Sequence, residues 1–174
     1  PGGGSAAALF GAIGCALIEM VLNYSNKDKG LIRKSLVVFK KQRIHFLKLI
    51  DEDIKAYNKL SAPFTQKNRQ SAQEALKNAT LLPFEIANRS YESIKLCKGL
   101  LNITNKKLIS DVGTAVSSFV SAFESAKFNI NINLRCIDDK KFANSIEKNI
   151  VFLTKKVSST SKEIISSVNK TIER

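Results

Sequence analysis

The chain contains few residues of the kinds that interrupt helices or build metal sites. Eight glycines and three prolines occur in 174 residues, and four of these eleven stand in the first four positions. Tryptophan is absent, and His45 is the only histidine. Long stretches without glycine or proline favour long helices, because these two residues are the weakest helix formers.

Cysteine is also scarce. Cys15, Cys97 and Cys136 are widely separated, with no C-x-x-C spacing and no histidine close by. An odd, scattered set of this kind argues against a disulfide framework and against a zinc site. We therefore expect buried free thiols in a reducing, cytoplasmic environment, and no metal.

Acidic residues are outnumbered by basic ones, 15 against 28, so the formal net charge is +13. Such a charge could attract nucleic acid, an anionic membrane or a polyanionic small molecule. The basic residues, however, are mostly lysines spread along the chain, without an arginine cluster. The apolar run 6–18 also falls short of the ~20 residues that cross a bilayer. We expect neither nucleic acid nor membrane as a partner, and a first helix buried within the protein.

Apolar periodicity and breaker positions predict five helices. Long helices with short connections are typical of an antiparallel bundle, and the length fits one domain, residues 1–174. Pro83 should interrupt or kink the third helix. The last helix should begin after Asp138 and Asp139, since acidic residues suit a helix N-terminus. The predicted helices are 5–24, 31–60, 66–99 and 107–134, and a fifth that begins after Asp139 and continues to the end of the chain.

A glycine run opens the chain. Gly2, Gly3 and Gly4 would let a ligand or a neighbouring helix approach the backbone closely. Ser5 could follow as an N-cap, leaving free N–H groups at a helix start, where anions are favoured. Taken alone, the same run also fits a simple turn.

One carboxylate of the second helix lies among apolar residues. At 100° per residue, Phe46, Leu49 and Tyr57 lie within about 60° of Asp53, whereas Asp51 points nearly opposite. A carboxylate on an apolar face is costly unless it is paired or used. Asp53 is therefore either an acid–base group or a structural partner of an arginine or a helix terminus.

The fourth helix carries a stripe of small and polar residues. Asp111, Ala115, Ser118, Ala122 and Asn129 share one face, with polar groups at both ends of the stripe. Small side chains allow another helix or a flat ligand to come close. The stripe predicts either a tight helix–helix seam or a ligand surface.

Two further sets of polar residues have weaker patterns. His45 has no serine, cysteine or carboxylate at contact spacing on its own helix, so we expect it to face solvent or a partner. Arg69 and Gln73 share a helix face four residues apart. They could bind a carboxylate or form an ordinary surface pair.

Several of these segments, in this order, resemble one known family. The opening 1–8 is followed by Gly11 and Gly14, and the acidic segment 49–53 by Ala56 and Tyr57. The segment 72–76 with Pro83, the pair Ser110-Asp111 with Ala115, and the segment 129–134 complete the series. The chain thus resembles the cyclodeaminase domain of formiminotransferase-cyclodeaminase and its stand-alone relatives, which include methenyltetrahydrofolate cyclohydrolases.

The resemblance implies an all-α homodimer that binds folate, with Asp53 as the catalytic residue and no cofactor. The implied activity is formiminotetrahydrofolate cyclodeaminase. The alternatives are methenyltetrahydrofolate cyclohydrolase, or a helical binding module that kept the fold without the chemistry. Folate contacts would come from the glycine run with Ser5 and from Asp111 and Asn129, and the lysines would attract a polyglutamate tail.

Overall fold

The computed structural model describes residues 2–61 and 69–173, and this part of the chain is helical without a strand. The prediction of an all-α bundle is confirmed, with bounds that differ by a few residues. The segment 62–68, where the second helix should stop before a proline and the third should begin, lies outside the described residues. The helices are α1 Gly3–Asn23, α2 Lys29–Ser61, α3 Arg69–Leu100, α4 Ile109–Leu134 and α5 Lys140–Ile172, with a 3-10 turn Lys106–Leu108 before α4.

Consecutive helices run antiparallel. Between α1 and α2, Ser5 meets Asp53 at one end and Glu19 meets Arg43 at the other. The first helix also runs antiparallel to α4, and α5 lies against α3 and α4. Pro83 does not interrupt α3, which is helical on both sides of it.

Small residues let α1 sit at the centre of the bundle, where it contacts α2, α3 and α4. A Cβ on Gly11 would stand 2.6 Å from the Phe46 ring, and one on Gly14 would stand 2.6 Å from the Phe119 ring. Both rings are fully buried. These glycines therefore serve the close packing of helices.

The outer side of α1 is apolar and exposed. Leu9, Phe10 and Ile13 are 47%, 38% and 42% exposed, and Leu17 and Met20 continue the same stripe at the edge of the core. By length and composition alone this helix could cross a membrane. The prediction of a buried helix is confirmed on the side that faces the bundle and is wrong for this stripe.

The connection from α4 to α5 is tied to α3. Arg69 Nε donates to Asp138 at 3.1 Å, and Gln73 Nε2 donates to the Cys136 carbonyl at 2.9 Å. The Arg69–Gln73 face thus binds a carboxylate of its own chain. Asp139 caps α5 by accepting from the Phe142 N–H, as the acidic start of this helix predicts.

The three thiols differ in environment. Cys15 and Cys97 are buried, whereas Cys136 is exposed. Burial, which is the largest effect, raises the pKa of Cys15 to about 12, so its thiol is protonated at neutral pH. The expectation of burial is wrong for Cys136, because this residue lies in the connection between two helices and not on a core face.

Candidate active site

Asp53 is half-buried on α2 and faces the first turn of α1. Its Oδ2 accepts two hydrogen bonds of 2.8 Å from Ser5, one from the backbone N–H and one from the hydroxyl. Ser5 itself is only 3% exposed. As the helical spacing predicts, Asp51 is instead exposed on the other side of α2. Hydrogen bonds to a carboxylate are among the stronger ones in proteins, so Ser5 fixes the orientation of Asp53.

The glycine run is part of the helix and not a loop. Gly2 is the N-cap, with extended backbone angles, and Gly3 and Gly4 are helical. The prediction of Ser5 as N-cap is wrong, because its hydroxyl and its N–H both bond to Asp53 across the helix pair. None of the glycines in the described ranges has a positive φ. Gly4 is needed for space, because a Cβ there would stand 2.2 Å from Asp53 Oδ1.

Asn129 of α4 closes the same end of the bundle. A Cβ on Gly3 would stand 3.0 Å from Asn129 Nδ2. The Asn129 amide is itself held, because Nδ2 donates to the Ser125 carbonyl at 2.8 Å. The first turn of α1 therefore lies between a carboxylate on one side and a fixed amide on the other.

These groups border a cavity of about 540 Å³. Its volume lies in the range of small-molecule sites. The N-terminal end of α1 opens onto it, and Asp53 is the one carboxylate among the described residues that line it. The lining consists of Gly2, Gly3, Gly4, Asp53, Ile54, Tyr57, Asn58 and Asn129.

A smaller slot of about 90 Å³ adjoins the cavity and shares Asp53, Tyr57 and Asn129 with it. Its other walls are Ala56, Ala79, Pro83 and Asn133. Proline has no N–H, so Pro83 cannot supply the helical hydrogen bond that the Ala79 carbonyl would normally accept. Asn133 Nδ2 reaches that carbonyl at 3.4 Å.

Asp111 does not belong to this cavity. It lies in the first turn of α4, whereas Asn129 lies near the end of that helix. At 1.5 Å of rise per residue, ~27 Å of helix axis separate them. The structure brings together Gly2, Gly3, Gly4, Ser5, Asp53 and Asn129 of the predicted site, and leaves Asp111 at the other end of the bundle.

Several residues of the site do not follow from the sequence predictions. Tyr57 shares the helix face of Asp53 but is 69% exposed and lines the cavity. Asn133 follows Asn129 by four residues, a spacing that places both amides on one face of α4. That spacing, and a proline within α3, were the available signals for the slot.

His45 lies outside the site. Its Nε2 is 2.7 Å from Glu85 Oε1 of α3, and Arg89 donates to the same oxygen through Nε at 2.9 Å. The expectation of a solvent- or partner-facing histidine is incomplete: the His45 side chain is 30% exposed, but its hydrogen-bond partner comes from the neighbouring helix of the same chain. The network ties α2 to α3 and contributes nothing to the cavity.

A wider groove of about 770 Å³ lies between α4 and α5. Its floor is apolar, with Val116, Val120 and Ile165, and its walls carry several serines and two lysines. Of these two, and among the residues that the structure describes, the cavity beside α1 is the one that brings a hydrogen-bonded carboxylate against a helix N-terminus. We therefore place the candidate site there.

The chain is similar to several proteins of known function. Residues 1–151 match the family described as formiminotransferase-cyclodeaminase. The chain is 32% identical to the methenyltetrahydrofolate cyclohydrolase of Methylorubrum extorquens, over 82% of this chain and 76% of that protein.

Two further relatives differ in length. The formimidoyltransferase-cyclodeaminase of Mus musculus is 28% identical over 82% of this chain, but the match spans only 29% of the mouse protein. A crystal structure of the formiminotetrahydrofolate cyclodeaminase of Thermotoga maritima superimposes with a TM-score of 0.83 at 27% identity, covering 99% of this chain and 88% of that one.

Proposed function

Because the chain belongs to the formiminotransferase-cyclodeaminase family, we propose that it is a folate one-carbon enzyme, with formiminotetrahydrofolate cyclodeaminase as its first candidate activity. One observation carries the proposal. Asp53 is held through Oδ2 by Ser5, and it borders a cavity of ligand size at the N-terminal end of α1. We take the substrate class from the relatives, and the reaction proposed for it needs one acid–base group of this kind.

In the proposed reaction N10 of the substrate attacks the carbon of the protonated formimino group, and the N10–carbon bond forms. Asp53 accepts the N10 proton and returns it to the amino nitrogen. The bond from the carbon to that nitrogen then breaks, and the electron pair leaves on ammonia. The products are the methenyl cation and ammonia, and Asp53 is ionised before and after the cycle. The steps transfer no electrons to or from an acceptor, so they require no redox cofactor.

The surrounding residues suit this chemistry. Proton transfer by a positioned side chain depends on its orientation, and Ser5 fixes that orientation through two bonds to one carboxylate oxygen. The carboxylate also stabilises the positive charge on the methenyl carbon by electrostatics. We assign the folate ring system to the larger cavity, against the glycines of α1 and Asn129.

Methenyltetrahydrofolate cyclohydrolase is the second candidate. The relative from Methylorubrum extorquens, whose match spans 76% of its length, favours it. In this reaction water adds to the same carbon of the methenyl cation. Asp53 would take one proton from that water and pass it to the ring nitrogen as the carbon–nitrogen bond breaks. The carbon becomes a formyl group, and the second proton of the water leaves to solvent.

We also propose that the protein is a homodimer joined through the exposed stripe of α1. A helix that is apolar all round is normally buried on every side, yet Leu9, Phe10 and Ile13 are exposed in a single copy. A second copy would cover these residues with an identical surface.

Purified protein offered each folate substrate, with the methenyl absorbance followed over time, tests the function. Asp53→Asn should lower turnover by about 10²–10⁴-fold, the usual contribution of a general acid–base group. Asp51→Asn is the matched control, since this exposed aspartate lies two residues away on the same helix. Absence of turnover with both substrates would overturn the enzymatic proposal and favour a binding module. Full activity of Asp53→Asn would remove Asp53 from the mechanism.

A further inference from the structure

The slot beside Asp53 is too small for a folate ring, and two of its walls, Asp53 and Ala79, offer acceptors. Its volume is about 90 Å³, against about 540 Å³ for the adjoining cavity. Four of its wall residues carry polar groups that hydrogen bonds hold in place: Asp53, Ala79, Asn129 and Asn133. A compartment of this size beside an acid–base group suits a molecule of one or two heavy atoms.

The first acceptor is the carbonyl of Ala79. In an uninterrupted helix it would accept from the N–H four residues later, but that residue is Pro83, which has none. Asn133 Nδ2 approaches the carbonyl at 3.4 Å, near the limit of a hydrogen bond. A carbonyl oxygen has two lone pairs, so the Ala79 carbonyl can still accept a further hydrogen bond.

The second acceptor is Asp53 itself. Ser5 occupies its Oδ2 with two hydrogen bonds, whereas Oδ1 lies against Gly4. Asp53 lines both the slot and the cavity. A proton on Asp53 can therefore pass to a group in either compartment.

We propose that this slot receives the ammonia released by the cyclodeaminase reaction, with the Ala79 carbonyl and Asp53 accepting its N–H groups. The inference rests on the proposed function. Ammonia and ammonium carry three or four N–H donors, which match a carboxylate and a carbonyl with free capacity. The bond from the bridging carbon to the amino nitrogen breaks as Asp53 returns the proton, so the leaving nitrogen is already beside the slot entrance.

Water is the other small donor that such a slot could hold. It would be the attacking molecule of the cyclohydrolase reaction and would approach the carbon from the same side. The two occupants are separated by ammonium inhibition, because ammonium competes for the slot only if the slot takes the leaving nitrogen.

The test uses Pro83→Ala and Asn133→Ala in the full chain. Pro83→Ala restores an N–H that draws the Ala79 carbonyl back into the helix, and alanine suits a helix interior. Asn133→Ala instead removes the amide that borders the carbonyl. Asn88→Ala is the matched control, because the Asn88 amide donates to the Phe84 carbonyl on α3, away from the slot.

The measurement is the inhibition constant for ammonium chloride during turnover of formiminotetrahydrofolate, with sodium chloride holding the ionic strength constant. Pro83→Ala should raise this constant about tenfold, which corresponds to about 1.4 kcal/mol, and lower kcat with KM for folate nearly unchanged. Asn133→Ala should alter the constant as well, and Asn88→Ala should leave it unchanged.

The inference would be overturned if the protein turns over formiminotetrahydrofolate but the inhibition constant for ammonium is identical in wild type, Pro83→Ala and Asn133→Ala. The proposed function would then still stand. Turnover of methenyltetrahydrofolate alone, without ammonium inhibition, would also overturn it and assign the slot to water. No turnover of either folate would be a failure of the proposed function itself.

Discussion

Gly4 and Asp53 are in direct contact across the α1–α2 interface, and a Cβ on Gly4 would stand 2.2 Å from Asp53 Oδ1. Position 4 therefore needs glycine because the Asp53 carboxylate leaves no room for a side chain. The backbone conformation does not require glycine there, since Gly4 is an ordinary helical residue. The three glycines of the opening run differ in the space around them. Replacing each in turn by alanine should therefore lower turnover to different extents.

Gly4→Ala should lower turnover by about 10²-fold, because a displacement of about 1 Å in a catalytic group has effects of that order. Its net effect on stability should be a loss of about 1–3 kcal/mol, typical of overpacking. Gly3→Ala should be milder, since its Cβ would meet the end of the Asn129 side chain at 3.0 Å. Gly2→Ala has nothing within 4 Å and is the control. Equal activities of the three variants would show that the Gly4–Asp53 contact is unimportant.

Ser5→Ala removes one of the two hydrogen bonds to Asp53 Oδ2 and keeps the backbone one. We expect kcat to fall about tenfold with KM little changed, because the carboxylate loses orientation but not position. A hydrogen bond to a charged group contributes about 1.5–3 kcal/mol to stability, and urea unfolding should reveal a loss of that order. Ser117→Ala, whose hydroxyl bonds only within α4 to Gly113, should leave kcat intact. If both variants lower kcat equally, Ser5 does not position Asp53.

Glu85 should make stability depend on pH. Partial burial raises the pKa of Glu85, but the hydrogen bonds from Arg89 and His45 outweigh it and hold the pKa below its usual range. A depressed carboxyl pKa stabilises the folded state above the unfolded value of about 4.3, and this stabilisation is lost as the pH falls through the folded value. The unfolding free energy should therefore fall below about pH 5.

Urea titrations between pH 3 and pH 7 measure this effect. The unfolding free energy of Glu85→Gln should fall less steeply with acidification than that of the wild type. Glu147→Gln, at an exposed position of α5, provides a charge-matched control. If the unfolding free energies of wild type and Glu85→Gln changed in parallel with pH, the hydrogen bonds of Glu85 would not contribute to the acid response.

Ile13→Lys should separate the proposed dimer into monomers. A lysine in the centre of the α1 stripe would place a charge in an apolar interface, whereas in a single copy this position is 42% exposed and tolerates it. Sedimentation or light scattering measures the mass, and circular dichroism checks the helices. Val151→Lys on α5, at a position 52% exposed, is the control. A wild-type chain that sediments as a monomer would contradict the proposal directly.

The helices and the choice of Asp53 over Asp51 could be predicted because both depend on local spacing. One hundred degrees per residue decides which side of α2 each carboxylate occupies, whatever the rest of the fold does. These inferences need only neighbours in the sequence.

The errors arose where a distant residue decided the outcome. Ser5 looks like an N-cap locally, but the Asp53 carboxylate, 48 positions away in the sequence, takes both of its donors. The partner of His45 likewise comes from α3. Asp111 and Asn129 lie on the same face of α4. Residues on one face can still be far apart along the helix axis, and the length of α4 separates these two.

The attachment of Asp53 to Ser5 has a thermal consequence. The first turn of any helix lacks half of its internal hydrogen bonds and frays most readily, and here that turn carries both donors to the carboxylate. The remainder of α1 is anchored in the core by Phe46 and Phe119. Local opening of a single turn can therefore release Asp53 while the bundle stays folded, so we expect warming to lower activity before it melts the helices.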